Sequence, residues 1–369
     1  MSTKIFVMTH KKFQEPKEAC YVPLHVGKAV AEPLGYPGDD TGDNISAKNQ
    51  YYGELTGLYW VAHNETEADY VGLCHYRRFF VGDDGHLLTE SEYENILGTY
   101  DVMLARPVYY ETSYYEVYRQ AHHIRDLDVT QEVLAQLYPD DAAVFREIIQ
   151  GNKVYSCNML VSTREHVAAY ARWLFSIFDE VEKRIDVESY DAYHKRVFGF
   201  LSEQLLYVWV KSRGLSVYEA QVGLTGEKAE TTELKQKLRG LVGQGTAQSL
   251  ADALSLFRET MKQRPDLMLG GSDLAGELED MFRVIFICDG EWKQGGRSML
   301  HITTDLDMLV RHYRLMGVIA GHIVSDTASG EERAYFRDAM PSPLFMQIMI
   351  NNAPALQSRA AELYSAAGL

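Results

Sequence analysis

The chain alternates short, continuously apolar runs with longer stretches in which apolar residues recur every three or four positions. Continuous runs suit strands buried on both faces, and the longer period suits helices that cover them. The pattern therefore predicts an α/β fold with a mostly parallel sheet flanked by helices. The predicted strands span residues 4–10, 70–74, 101–105, 154–161 and 215–218. The predicted helices span residues 49–64, 91–97, 129–150 (parted by Pro139), 166–182 and 198–210.

Two further parts of the chain have a different composition. Residues 11–37 contain four prolines and are predicted to be irregular. After residue 222 the predicted elements are helices over residues 231–242, 249–262, 306–316 and 340–364 and strands over residues 283–288 and 321–325. Because 369 residues exceed one ordinary domain, we predict three parts. They are an α/β domain (1–222), a linker with a helical segment (223–280) and a C-terminal extension (281–369), either largely helical or partly α/β.

Charge and composition exclude several classes of protein. The formal net charge of −16 argues against a general nucleic-acid binder, although a local basic pocket for a nucleotide diphosphate is compatible with it. The four cysteines are widely spaced, which indicates reduced thiols in a cytoplasmic protein and neither a disulfide framework nor a zinc site. No run approaches the apolar length of a membrane span, so we expect any membrane contact, at the inner face of the plasma membrane, to be peripheral. The apolar run at residues 344–350 suits such a surface or a partner subunit of a homo-oligomer.

The most informative stretch runs from residue 38 to residue 80. It begins as a loop with Asp39, Asp40 and Asp43, which either bind a divalent cation through their oxygens or form turns and cap the next helix. It ends as a buried strand followed by His75-Tyr76-Arg77-Arg78. Because ligands bind at the carboxyl ends of strands in open α/β sheets, two arginines in that place predict an anion site.

The amino-acid sequence of this stretch resembles the sequences of a known family. The blocks GDNIS, KN, ELTGLYW and GLCHYRRFF occur in that order, and the likeness continues through residues 158–178 and 199–210, covering residues 4 to about 222. They are similar to a bacterial family long catalogued as a domain of unknown function, associated with capsular polysaccharide and O-antigen clusters and interpreted as glycosyltransferases, some of them galactofuranosyltransferases. The resemblance implies the Rossmann-type fold called GT-A and a nucleotide-sugar donor, with UDP favoured. Residues 309–318 and 322–332 are more weakly similar to the opening of another glycosyltransferase family, so the C-terminal extension is either a truncated or degenerate second unit or a helical appendage.

The resemblance also implies donor contacts. In GT-A enzymes an Asp-x-Asp pair often holds a metal on the sugar diphosphate, whereas this chain carries Arg77 and Arg78 at that place. We therefore expect metal-independent transfer without a cofactor, with one or both arginines on the diphosphate. The alternative is that one arginine pairs with a structural carboxylate, and only one is expected to face the ligand fully. The predicted donor-binding residues are Thr9, His10, Asp43, Asn44, Lys48, His75, Arg77 and Arg78.

Acceptor and catalytic residues are expected further along the chain. Tyr114 and Tyr115 belong to a tyrosine-rich loop that either cradles the acceptor or packs a lid against the core. His122, His123 and Asn158 are further predicted acceptor contacts, with a structural network as the alternative for the histidines. A carboxylate inside the apolar segment 198–210 costs free energy unless it is paired or functional, which makes Glu203 the predicted general base. Its alternative is a buried ion pair with one of the arginines.

The predicted function is transfer of a hexosyl or hexofuranosyl group from a nucleotide diphosphate sugar to a lipid-linked or oligosaccharide acceptor of surface polysaccharide synthesis. Two other functions remain open: a non-catalytic nucleotide- or glycan-binding module, and a nucleotide-sugar hydrolase. The chain contains no Walker loop, GxGxxG or HExxH sequence that would support ATP, NAD or zinc-protease chemistry.

Overall fold

The structure is a computed structural model that describes residues 1–268, 271–295 and 298–369. The chain forms two compact units, Met1–Thr225 and Gly226–Leu369. The first unit is α/β and contains every predicted site residue.

The first unit is built on one mixed sheet. The strands of this sheet are β1 (Thr3–Thr9), β2 (Tyr21–His25), β3 (Tyr70–His75), β4 (Arg78–Val81), β5 (Val102–Ala105), β8 (Leu160–Thr163) and β9 (Val217–Leu224). Two further strands, β6 (Val108–Tyr109) and β7 (Lys153–Val154), form a separate two-stranded ribbon. Within residues 1–225, three strand pairs of the main sheet are parallel and four are antiparallel. The predicted mostly parallel sheet is therefore wrong, because β4 and β8 run against their neighbours. β3 pairs with both β4 and β8, so the pairings of β3, β8, β5, β9 and β4 close on themselves.

Both faces of the central strands are buried, and successive side chains along a strand enter two different hydrophobic cores. In β1, Phe6 and Met8 enter one core, whereas Ile5 and Val7 enter the other. This explains the continuously apolar sequence, since both faces of a central strand are buried. The helices of this unit are α1 (Asn49–Tyr52), α2 (Leu55–Asn64), α3 (Glu90–Leu97), α4 (Tyr114–Ala121), α5 (Ile124–Leu137), α6 (Pro139–Gln150), α7 (Arg164–Val181) and α8 (Val197–Ser212).

The structure corrects several local predictions for the first unit. Residues 11–37 are not wholly irregular, because they contain β2, an edge strand in which Pro23 is tolerated. The helix predicted over residues 49–64 is interrupted at Gly53, whose φ of 55° is left-handed. The strand predicted over residues 154–161 is broken between β7 and β8 by Cys157 and Asn158, which have φ values of 84° and 51°.

In its described residues, 226–268, 271–295 and 298–369, the second unit consists of helices joined by turns and loops and contains no strand. Its helices are α9 (Ala229–Val242), α10 (Ala247–Gln263), α11 (Glu277–Gln294), α12 (Leu306–Val324), α13 (Gly330–Asp338), α14 (Pro343–Asn351), α15 (Pro354–Gln357) and α16 (Ala360–Ala366). The strands predicted over residues 283–288 and 321–325 are wrong, because these runs lie in α11 and at the end of α12. A short apolar run has the same composition in a buried helix as in a buried strand.

The apolar run at residues 344–350 lies in α14. Phe345, Met346, Met349 and Ile350 are buried in the core of the second unit. Across the described ranges, no helix combines the length and apolar character needed to cross a bilayer.

Gly72 in β3 offers a test of the close packing around the central strands. A Cβ at this position would lie 2.7 Å from Ile5 Cδ1 and 2.8 Å from Val161 Cγ2, so Gly72→Ala must displace core side chains. We expect this substitution to lower the free energy of unfolding of the first unit by about 1–3 kcal/mol, measured by urea denaturation with tryptophan fluorescence. Gly240→Ala, which meets no atom within 4 Å in α9, is the control. Equal stability of Gly72→Ala and the unmodified protein would contradict this description of the core.

Candidate active site

Polar side chains meet where β1, β2 and β3 end side by side. Thr9 pairs in register with His25, and Met8 pairs with His75. Thr9 is buried and its hydroxyl donates to the carbonyl of Lys11. This edge is the carboxyl end of three parallel strands, the place where α/β sheets bind ligands.

His25 was missed by the sequence prediction. Its side chain is fully buried, and neither ring nitrogen has a hydrogen-bond partner among the residues that the structure describes. Burial lowers the pKa of His25, so the ring is neutral at physiological pH. The signal for this residue was a polar side chain at the end of the run YVPLH, which Pro23 obscured. His10, in contrast, is exposed and lies edge-to-face with Tyr76, at 5.4 Å between ring centroids.

The acidic loop after β2 is held by protein partners. Asp39 is buried and accepts hydrogen bonds from the backbone N–H groups of Gly27 and Lys28 at 3.0 and 3.2 Å. Asp40 Oδ1 lies 3.4 Å from Lys28 Nζ. The sequence left two roles open for these carboxylates, cation binding and turn formation. The contacts of Asp39 and Asp40 fit turn formation, because both side chains brace the loop. In the described residues, no group of three or more His, Cys, Asp or Glu side chains could hold a metal ion.

The predicted donor residues of the next segment are also engaged within the protein. Asp43 Oδ1 accepts from the Tyr59 hydroxyl at 3.1 Å, and Asn44 Oδ1 accepts from the N–H of Ser46 at 3.2 Å. Lys48 Nζ donates to both carboxylate oxygens of Glu182, at 2.8 and 3.0 Å. These contacts brace the loop and α1, and the predicted contacts of Asp43, Asn44 and Lys48 with the donor stay predictions.

The two arginines flank a tight turn between β3 and β4. Arg77 lies in the turn and is buried, whereas Arg78 begins β4 and is half-buried. The guanidinium of Arg78 has no hydrogen-bonded or ion-paired carboxylate in residues 1–268, 271–295 and 298–369. A partly desolvated cation without an acidic partner is costly, so Arg78 is the residue that best fits an external anion.

The backbone of Cys157 joins two site residues. Its N–H donates to Glu203 Oε1 at 3.1 Å, and its carbonyl accepts from His75 Nε2 at 2.5 Å. The left-handed conformation of Cys157 turns these two groups in the required directions. Burial lowers the pKa of His75, so a neutral ring donating from Nε2 satisfies this geometry.

Asn158 holds a second carboxylate, which the sequence prediction missed. Its Nδ2 donates to Glu54 Oε1 at 2.7 Å and to the carbonyl of Gly199 at 2.9 Å, and its Oδ1 accepts from Ser202 Oγ at 2.8 Å. Because these bonds occupy the buried amide, Asn158 positions Glu54 against α8 in this structure. Its predicted contact with the acceptor stays a prediction. Glu54 is the acid of the ELTGLYW block, where it precedes an apolar helix.

Glu203 has the electrostatic environment of a general base. Burial raises its pKa to about 7, and the negative charge of Glu54 acts in the same direction. The N–H of Cys157 and the charges of Arg78 and Arg196 limit this rise. Within the described part of the chain, no cation forms an ion pair with Glu203, so the predicted alternative of a buried ion pair with an arginine is not found. A carboxyl that titrates near neutrality can exchange a proton during a reaction.

The predicted acceptor residues do not form one surface. Tyr114 and Tyr115 lie in α4 and not in a loop, so the predicted tyrosine-rich loop is wrong over these residues. Tyr114 is buried in the core, and the Tyr115 hydroxyl donates to Asp128 at 3.1 Å. His122 stacks on Phe200 at 4.2 Å, and burial lowers its pKa to about 4. His123 is exposed and stacks on Tyr190 at 4.3 Å. His122 thus contacts the face of α8 that carries Glu203, and Tyr114 lies near enough for the charge of Glu203 to raise its pKa after burial has done so.

Comparisons with known proteins identify the class to which the first unit belongs. A family model described as "Domain of unknown function (DUF4422)" matches residues 4–214, and the chain belongs to this family. Its structure is similar to the solved "WbbM bifunctional glycosytransferase apo structure", with a TM-score of 0.55 and 33% sequence identity over 61% of this chain. The match spans 46% of that structure's chain. No curated protein matches the chain. The predicted resemblance to a family of unknown function related to glycosyltransferases is thus confirmed.

The raised pKa of Glu203 predicts a pH-dependent effect on stability. An unfolded glutamate loses its proton near pH 4.3, whereas folded Glu203 does so near pH 7. The folded state therefore binds more protons in this window, and the free energy of unfolding falls as the pH rises through it. Glu203→Gln removes this penalty, so we expect the variant to exceed the unmodified protein by about 1–3 kcal/mol at pH 8 and by little at pH 4. Urea denaturation at both values provides the measurement.

Glu165→Gln on α7 is the matched control for this experiment. The side chain of Glu165 is 73% exposed, so its substitution should leave the difference between the two pH values unchanged. A Glu203→Gln variant that is less stable than the unmodified protein at pH 8 would show that Glu203 is held as a stabilising anion.

Proposed function

We propose that this protein is a glycosyltransferase that moves a hexosyl group from a nucleotide diphosphate sugar to a surface polysaccharide acceptor. The observation that carries the proposal is that Glu203, whose pKa is about 7, lies within electrostatic reach of Arg78. The half-buried guanidinium of Arg78 has no carboxylate partner in residues 1–268, 271–295 and 298–369. A proton acceptor beside an anion site is what transfer from a diphosphate requires. The similarity of the first unit to a bifunctional glycosyltransferase supports the same reaction class.

The proposed donor lies at the carboxyl ends of β1, β2 and β3, with its diphosphate on Arg78. Arg77, His75, Thr9 and His10 belong to this edge of the sheet. UDP is the favoured nucleotide, and the hexose is a pyranose or a furanose, with galactofuranose included. A fixed guanidinium supplies the positive charge that a divalent metal supplies in other transferases, so the proposed transfer is metal-independent.

The proposed reaction is a displacement at the anomeric carbon. The Glu203 carboxylate accepts the proton of an acceptor hydroxyl, and the hydroxyl oxygen forms a bond to the anomeric carbon. The bond from that carbon to the diphosphate oxygen breaks, and the electron pair leaves with the diphosphate, whose charge Arg78 stabilises. Attack opposite the leaving group implies inversion of configuration.

Nucleotide binding tests the role of Arg78. UDP should raise the melting temperature of the unmodified protein to the same extent with and without EDTA, because a ligand that binds the native state stabilises it. Arg78→Gln should weaken UDP binding about tenfold to hundredfold, since a charge-assisted hydrogen bond contributes about 1.5–3 kcal/mol. The measurement is a thermal-shift titration with UDP.

Arg172→Gln, which removes an exposed arginine of α7, is the charge-matched control for this titration. Binding that needs added manganese would contradict metal independence. Equal affinities of the Arg78→Gln variant and the unmodified protein would remove Arg78 from the donor site.

Transfer kinetics test the role of Glu203. A base must be deprotonated to act, so kcat/KM should rise as the pH increases through about 7. Glu203→Gln should lower kcat by about 10²–10⁴-fold, because the amide accepts no proton. The measurement is the release of UDP with a labelled UDP-sugar and a mixed oligosaccharide acceptor pool, followed from pH 5 to pH 9.

Glu165→Gln should keep the full rate and the same pH profile. A rate that does not change between pH 6 and pH 8 would contradict the assignment of Glu203 as the base. Release of free sugar that no acceptor accelerates would identify a nucleotide-sugar hydrolase instead.

A further inference from the structure

One face of α8 is partly exposed, while the rest of the helix is buried. The half-exposed positions are Arg196, which precedes the helix, and then Phe200, Glu203 and Tyr207. Their spacings of four, three and four residues place them on a single helical face. The other positions from residue 197 to residue 210 are buried, so this face is the exposed surface of the helix that carries the proposed base.

Aromatic rings lie on both sides of Glu203 along this face. Phe200 packs against His122 and Tyr193, with centroid distances of 4.2 and 5.1 Å. On the other side, Tyr207 packs against Tyr155 at 4.3 Å. These neighbours fix the rings, which remain half-exposed. Fixed, partly exposed rings can pack against the apolar faces of sugars with little loss of side-chain entropy.

Arg196 ends the face with an unmatched positive charge. Its guanidinium lies 5.7 Å from the centroid of the Phe200 ring and is half-buried. Across residues 1–268, 271–295 and 298–369 it has no carboxylate partner, although acidic residues exceed basic ones by 16 in this chain. The adjacent Lys195, in contrast, pairs with Glu188 at 2.9 Å. A stacked guanidinium with free donors is suited to a carboxylate or phosphate of a ligand.

We propose that the acceptor lies along this face and carries an acidic group that pairs with Arg196. The inference rests on the proposed transferase function and extends it to the chemical class of the acceptor, an anionic glycan. Seven residues separate Arg196 from Glu203, which corresponds to about 10 Å along the helix axis. The acidic group therefore lies beyond the sugar that offers its hydroxyl to Glu203, on the side of Phe200. A uronic acid and a sugar phosphate both supply this charge.

Binding of matched oligosaccharides tests the inference without relying on turnover. Three sets are titrated calorimetrically in the presence of UDP: neutral, uronate-containing and phosphorylated oligosaccharides of equal length. The unmodified protein should bind at least one acidic set about tenfold to hundredfold more tightly than the neutral set. Arg196→Gln should abolish this preference, whereas Arg172→Gln, which removes the same charge from α7, should preserve it. The preferred set distinguishes carboxylate from phosphate.

Each other outcome overturns the inference. Equal binding of neutral and acidic sets, binding of no acidic set, or an unchanged preference in Arg196→Gln would remove Arg196 from the acceptor site. The UDP thermal-shift titration shows whether Arg196→Gln is folded and binds nucleotide. The same titration separates the two proposals, because a protein that binds UDP through Arg78 but no acidic glycan retains the donor site and loses only this acceptor class.

Discussion

The site depends on the backbone conformation of one residue, Cys157. Its N–H donates to Glu203 on α8 and its carbonyl accepts from His75 at the end of β3, so the φ and ψ angles of this residue relate the position of a helix to that of a strand end. A left-handed conformation at a residue other than glycine costs about 1–3 kcal/mol and persists only where the surroundings determine it. Here the N–H and the carbonyl of Cys157 are both hydrogen-bonded, and the next residue, Asn158, is left-handed and hydrogen-bonded through its side chain.

This arrangement explains why Glu203 is neither an ordinary surface acid nor a member of a buried ion pair. One backbone donor satisfies one carboxylate oxygen, which is too little to offset the cost of burial. Glu54, held by Asn158, adds a second negative charge nearby, and Arg78 and Arg196 act in the opposite direction. The result of these opposing effects is a carboxyl that titrates near neutral pH, without any direct contact between the acid and a cation among the described residues.

The parts of the fold that were predictable are those with a strong local signal. The strands β1 and β3 have continuous apolar runs, and α7 has a long helical period, so their sequences specify them locally. β2 contains a proline that is tolerated only because the strand lies at the sheet edge, and a single sequence does not show which strand will lie there. The strand assigned to residues 283–288 failed for a related reason, because burial in a helical core and burial in a sheet favour the same residues.

The sequence predicted those residues of the candidate site whose chemical character contrasts with the residues next to them in the chain. An acid inside an apolar helix and arginines after a buried strand are anomalies that stand out in a linear sequence, and Glu203 and Arg78 are both of this kind. Glu54, His25 and Arg196 have no such signal. Their significance depends on which partners the fold provides: an amide for Glu54, no hydrogen bond for His25, and no carboxylate for Arg196. Lys48 is the opposite case, because the sequence predicted a contact with the donor, whereas in the structure its ammonium group forms an ion pair with Glu182.

The two unmatched arginines also connect ligand binding with the basicity of Glu203. Each lowers the pKa of this carboxyl through its positive charge. An anion that neutralises either arginine weakens that effect, and the pKa of Glu203 then rises. In the proposed reaction the donor diphosphate occupies Arg78 and the acidic acceptor occupies Arg196, so the carboxylate is a stronger base when both substrates are bound. An acidic chain could have paired both arginines with its own carboxylates, as it pairs Lys48 and Lys195, and the resulting site would lack this dependence. In the proposed mechanism, two guanidiniums without a carboxylate partner among the described residues would therefore both bind the anionic groups of the substrates and adjust the pKa of Glu203.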